Sequence, residues 1–189
     1  MTIAIIVIVV VVVLLLLYVI ATYNGLVRLR NRVENAWAQI DVQLKRRLDL
    51  IPNLVETVKG YAAHERGTLE DVIKARNAAV SAGAQGPQAQ AAAETALSGM
   101  LGRLIALSEA YPDLKANANF QQLQAQLTDI ENKLAAARRF FNNAVSEYNA
   151  RIAQFPAALF AATFGFSPRQ FFDLGDDRRA VQEVPQVKF

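Results

Sequence analysis

Residues 33–47 read VENAWAQIDVQLKRR. Apolar side chains recur at Val33, Trp37, Ile40 and Leu44, while Glu34, Asp41, Lys45, Arg46 and Arg47 fall mostly off that line. Steps of three and four are the period of a helix with one apolar stripe. The stripe extends well beyond this stretch. Adding Leu26, Leu29, Leu48, Ile51, Val55 and Val58 gives nine consecutive helical steps. A stripe this long needs an apolar partner of matching length.

The partner is found late in the chain. Phe120, Leu123, Leu127, Ile130, Leu134, Ala137 and Phe141 repeat at alternating threes and fours, and Tyr148, Ile152 and Phe155 extend the line. Such heptad spacing predicts a long helix packed along another in the manner of a coiled coil. The two expected helices, residues 24–64 and 119–154, are each about 55 to 60 Å long at 1.5 Å per residue. Two shorter helices are expected between them. Thr68 is read as the N-cap of the first, running to residue 82, with Gly60 weakening and Gly67 ending the helix before it. Pro87 opens the next after the loop GAQGPQ, and Pro112 stops it. Its Ala/Gln-rich start, residues 88–93, reads as a propensity-rich surface or a loop end without function. Pro52 lacks an N–H, yet the stripe keeps its phase across it, so a kink rather than a stop is expected there. Short connections make neighbouring helices antiparallel, which turns the last long helix against the first and covers Trp37.

Upstream of the stripe lies a different kind of segment. From Ile3 to Ile20 every residue is Ile, Val, Leu, Ala or Tyr. Ile3, Val10, Leu17 and Ile20 mark a helix of about 30 Å, the thickness of a bilayer's hydrocarbon. One segment cannot close a barrel, so lipid requires a helix. A cleaved signal peptide is the competing reading. Against it, no basic residue precedes the apolar run, the run is long for a signal, and YVIATYNG offers no convincing cleavage site. Arg28, Arg30 and Arg32 follow the span, so the positive-inside rule puts the N-terminus out and the bulk of the protein in the cytoplasm. The same arginines could meet lipid headgroups.

The chain divides on this reading into an anchor (residues 1–23), a cytoplasmic helical bundle (24–155) and a Phe-rich tail (156–189). From Phe155 onward the sequence holds seven of its ten phenylalanines. Phe155, Phe160, Phe164 and Phe166 are candidates for an interfacial, membrane-facing tail. The alternative is that they cap the bundle end as ordinary core.

Little in the sequence points to catalysis. Cysteine is absent, which removes disulfides and thiolate chemistry. His64 is the single histidine, and HERG lacks the second histidine of a zinc metalloprotease helix. The di-iron bundle motif needs Glu three residues before His, where Tyr61 stands here. No phosphate-binding loop, dinucleotide fingerprint or nucleophile elbow occurs. Glu70 and Asp71 sit where helix capping explains them. The expectation is therefore a non-enzyme without metal or cofactor, and with a net charge of only +3, no nucleic acid partner.

Several ordered motifs carry a resemblance: YNGLVRLRNRVENAWAQIDVQLKRRLDLIPNLVETVKGYAAHE directly after an N-terminal span, then YPDLKAN, ARRFFNNAVSEYNARIAQFP, FGF and a terminal PQVKF. With these the chain resembles the LemA family of bacterial membrane proteins over nearly its whole length. The resemblance implies a long helical bundle at the bacterial cytoplasmic (inner) membrane and brings no established catalytic residues.

The expected class is all-α: an N-terminal transmembrane helix, then an up-down antiparallel bundle of long helices, then a short aromatic tail. The amide-rich and basic residues Asn31, Asn35, Gln39, Asp41, Gln43, Lys45, Arg46 and Arg47 form a candidate assembly face for a homo-oligomer or an envelope protein partner. A scaffold or adaptor is the leading functional expectation. The others are a membrane-organising protein acting on lipid and a regulatory subunit of a membrane protease or phosphatase.

Overall fold

The computed structural model describes residues 1–173. The terminal PQVKF motif, and the part of the tail beyond residue 173, lie outside the described residues. Helices α1 (Thr2–Lys59), α2 (Arg66–Ala82), α3 (Pro87–Ser108), α4 (Pro112–Lys115) and α5 (Ala118–Ala153) are followed by a 3₁₀ turn at Ala157–Leu159. There is no strand among the described residues, and the class is all-α. Two compact units divide the chain: residues 1–39 with 139–169, and residues 40–138 with 170–173 of the described residues.

In the first unit, the early half of α1 pairs with the late half of α5. Leu26, Val33 and Ala36 are buried on one side, and Phe141, Val145, Tyr148 and Ile152 on the other. The contacts run in opposite order along the two helices. Trp37 meets Phe141 with ring centroids 5.3 Å apart, and Arg32 meets Glu147 at 2.7 Å. The helices are therefore antiparallel, as the two stripes require.

Trp37 itself is a correction. It is half-buried, and the enclosed position next to it belongs to Ala36. An α-helix turns 3.6 residues per turn, so a stripe held at threes and fours drifts, and a large ring at its margin stays partly in solvent. Truncating Trp37 should accordingly cost less than the about 3 to 5 kcal/mol of a fully buried aromatic.

After α5 the chain folds back on the same unit. Phe166 N–H donates to the Ala161 carbonyl at 2.9 Å, across Gly165, whose φ of 75° favours a residue without Cβ. Asn149 then holds both backbone groups of Arg169: its Oδ1 accepts from the Arg169 N–H at 2.8 Å and its Nδ2 donates to the Arg169 carbonyl at 2.9 Å.

The second unit is built from the rest of α1 and α5 with α2, α3 and α4. Its core gathers Ile51 and Leu54 from α1, Val72 from α2, Leu97 and Leu104 from α3, and Leu114 from α4. The helix α1 runs unbroken through Pro52. A proline at that position leaves the Leu48 carbonyl without its usual donor. Arg76 of α2 supplies one, donating from Nε at 3.1 Å. The carbonyl is thereby satisfied by tertiary contact, and the helix continues.

The turn after α1 differs from the expectation. The helix stops at Lys59, and Gly67 and Thr68 lie inside α2. Leu69 N–H bonds the Glu65 carbonyl at 3.2 Å, which starts the helix ahead of Thr68. Buried Ala62 fixes the preceding turn, and the Tyr111 hydroxyl donates to Glu65 Oε1 at 3.3 Å. Gly86, with φ 95°, and Pro87 open α3 as the sequence indicates. One helical turn, α4, stands between Pro112 and α5 where only a connection was expected. Asn117 caps α5, its Oδ1 accepting from the Phe120 N–H at 3.0 Å.

Candidate membrane-interface site

The first twenty-odd residues of α1 form a stretch long and apolar enough to cross a membrane, and none of it is buried by the protein. Ile3, Val10, Leu17 and Ile20 are all exposed. Water would penalise such a surface along its whole length. Thr22 is the first buried residue after this run, and its hydroxyl donates to the Tyr18 carbonyl at 2.9 Å.

The returning tail meets this end of the span. The Tyr23 ring packs edge-on against Phe164 at 5.4 Å and Phe166 at 5.5 Å between centroids. Phe160 packs edge-on against Phe164 at 5.8 Å. The Arg30 guanidinium lies 5.4 Å from the centroid of Phe166. Edge-to-face rings and a cation over a ring face are the arrangements that the aromatic quadrupole favours. Phe166 is the buried member of the group, so of the four tail candidates it is core and not a surface contact. Phe155 is 78% exposed and Phe164 51%, and Phe160 is half-buried. Leu159, which is not among the four tail candidates, is 74% exposed.

The three arginines after the span are not equivalent. Arg28 is exposed. Arg30 is half-buried over Phe166. Arg32 pairs with Glu147 and lies 5.6 Å from the Phe140 ring centroid. Arg169 and Glu34 approach to 3.5 Å across the same unit. Beneath them Tyr148 is buried, and burial raises its hydroxyl pKa, against the opposing pull of Arg169 and Arg30.

The assembly candidates divide between the units. Asn31, Asn35 and Gln39 are exposed in the first, and Asp41, Lys45 and Arg46 in the second. Gln43 is half-buried. Arg47 is a correction: only 5% of it is exposed. Its guanidinium reaches Glu94 Oε2 at 3.3 Å, Ser98 Oγ at 2.9 Å and Glu131 Oε2 at 3.2 Å. Glu94 is buried as well, and desolvation raises its pKa despite Arg47. A guanidinium enclosed by a carboxylate and a hydroxyl organises the interior and cannot meet a second protein.

Sequence reasoning missed Glu94 because the start of α3 looked low in complexity. The signal was present: Gln90, Glu94, Leu97, Leu101, Leu104 and Ser108 continue one stripe at threes and fours, and all are buried. Tyr23 was missed because it closes the span rather than opening the bundle. Among the described residues no cluster of His, Asp and Glu is placed to hold a metal, and His64 lies exposed in the turn after α1.

A family model described as the LemA family matches residues 36–189. The chain is 25% identical to the magnetosome protein MamQ of Magnetospirillum gryphiswaldense over 178 residues, which cover 82% of this chain and 65% of that one. A magnetosome protein MamQ of Paramagnetospirillum magneticum matches to the same extent. Protein LemA of Metamycoplasma hominis is 25% identical over 132 residues, covering 70% of this chain and 60% of the relative. The chain thus spans a little under two thirds of the length of these relatives.

Proposed function

We propose that this chain, which belongs to the LemA family, works as a membrane-anchored, non-enzymatic helical adaptor that associates with itself or with envelope proteins. A membrane-associated helical protein is the common ground: one N-terminal apolar helix fits a single-pass bacterial membrane protein. The observation that carries the finer reading is the exit of the span. No linker separates it from the fold, because α1 continues from Thr2 to Lys59 and Tyr23 is packed against the returning tail. The first unit, fixed in this way, is held at a set height over the bilayer, as an adaptor requires.

Arg28, Arg30 and Arg32 beyond the span support an N-out, C-in orientation in the inner membrane. Protease added to inverted vesicles should digest the helical body, and protease added outside intact cells should leave it whole. Digestion from outside would reverse the orientation.

Self-association is assigned to exposed polar residues of α1, with Arg47 now removed from the set. The span is rich in Val and Ile and offers no small-xxx-small motif, so it contributes little to pairing specificity. Reversing Lys45 and Arg46 together to Glu should shift the detergent-solubilised protein to smaller mass in light scattering, with helicity unchanged. A wild type that is monomeric at every concentration would remove self-association, and crosslinking in intact cells with mass spectrometry would then identify the protein partners of a regulatory subunit.

A further inference from the structure

We propose that the face formed by Phe155, Leu159 and Phe164 is seated in the headgroup boundary of the same bilayer that holds the span, as a second, non-spanning membrane contact. The proposal rests on the membrane-anchored reading and adds to it a lipid-binding surface.

Position is the first argument. Tyr23 lies three residues after Ile20, about 4.5 Å further along the helix axis at 1.5 Å per residue. Phe164 packs on Tyr23, and Phe160 packs on Phe164. Phe164 and Phe160 thus adjoin the end of the exposed apolar run, and the antiparallel register set by Trp37–Phe141 and Arg32–Glu147 brings the end of α5, with Phe155, to the level of Tyr23, where that run would leave the hydrocarbon. Aromatic side chains gather at this depth because a ring tolerates both the apolar and the wet side of the boundary.

Exposure is the second argument. Phe155 and Leu159 are more exposed than any of the span residues from Val7 to Ile20. They stand out beside Pro156 and Ala157, which are buried. Around the turn at Ala157–Leu159 the small Pro156 and Ala157 are the enclosed residues, while the larger Phe155 and Leu159 face outward, the reverse of what packing in water selects. Phe166, eleven residues after Phe155, shows that this unit can enclose a phenylalanine. The outward members are placed for a different solvent.

Charge is the third. Outside the span the first unit holds six arginines and two glutamates, Glu34 and Glu147. Both glutamates already face arginine, Arg169 and Arg32 respectively. Arg28 and Arg151 are exposed, and Arg151 lies one helical turn before Phe155. Apolar rings flanked by guanidinium groups match a layer in which acyl chains end and phosphates begin.

The test uses the full chain, with Trp37→Phe as background, reconstituted in phosphatidylcholine and phosphatidylglycerol vesicles. A tryptophan is introduced singly by Phe155→Trp, Phe164→Trp, Val10→Trp or Val80→Trp. Quenching is read with acyl-brominated lipid and with aqueous iodide. Phe155→Trp and Phe164→Trp should be quenched by brominated lipid and should show several-fold weaker iodide quenching than Val80→Trp, an exposed site of α2. Iodide quenching equal to that of Val80→Trp, with no effect of brominated lipid, overturns the proposal. So does protection from iodide that depends on protein density and not on brominated lipid, since a second copy would then cover the face. If Val10→Trp also escapes brominated lipid, the anchor reading has failed. If Val10→Trp alone is quenched, only the second contact has.

Discussion

Replacing Arg47 with alanine should destabilise the protein by about 3 to 5 kcal/mol, the cost of stranding one partner of a buried ion pair. Side-chain exposure is 6% for Arg47 and 2% for Glu94, so the remaining carboxylate would have neither water nor counter-ion. Glu131 is half exposed and contributes little by itself, so Glu131→Ala should cost no more than about 1 kcal/mol. The paired replacement Arg47→Met with Glu94→Leu removes both charges and should be far milder than either single loss. Urea melts of the full chain in detergent, followed by circular dichroism, give the comparison. A midpoint unchanged by Arg47→Ala would mean that the cluster is open to water.

The same cluster sets a pH dependence. Burial raises the Glu94 pKa above its ordinary 4.5, so the folded state holds that proton more tightly than the unfolded chain does. Its contribution is complete below 4.5 and is lost as pH rises through the folded value. Glu94→Gln should remove this component of the decline, and Arg47→Ala should steepen it. Parallel stability profiles for wild type and Glu94→Gln would exclude the coupling.

Phe120→Ala should have an effect of similar size, again about 3 to 5 kcal/mol. Phe120 is 1% exposed in the core of the second unit, with Leu114 and Val58 in the same cluster. Its N–H also donates to the capping Oδ1 of Asn117, so the ring and the helix start share one residue. Phe120→Leu keeps most of the volume and should recover most of the stability. The melts would contradict this packing if alanine and leucine behaved alike.

The long helices were legible because apolar periodicity reports directly on one-sided burial. Of the expected α5 stripe, Phe120, Leu127, Ile130, Leu134, Ala137 and Phe141 are buried. In α1 the same holds for Leu26, Val33, Ile40, Leu44, Ile51 and Val58. What periodicity could not give was pairing between helices. Arg47, three residues after Leu44 and four before Ile51, lies on the buried line where Arg46 does not, but its partner Glu94 is 47 residues away and no spacing names it. The tail was legible as aromatic but not as sided. Which phenylalanine turns inward depends on the reversal at Gly165, and it selects Phe166 over Phe164.

The hydrogen bond from Arg76 to the Leu48 carbonyl bears on the order in which the second unit can come apart. A helix without proline satisfies its own carbonyls whether or not its neighbours are docked. Here one carbonyl is left to α2, so detaching α2 exposes an unpaired acceptor in the middle of α1. Opening of α2 and loosening of α1 around residues 48–52 are thereby joined into one cooperative event. In hydrogen exchange the two segments should lose protection together, as a single foldon, and Arg76→Ala should uncouple them.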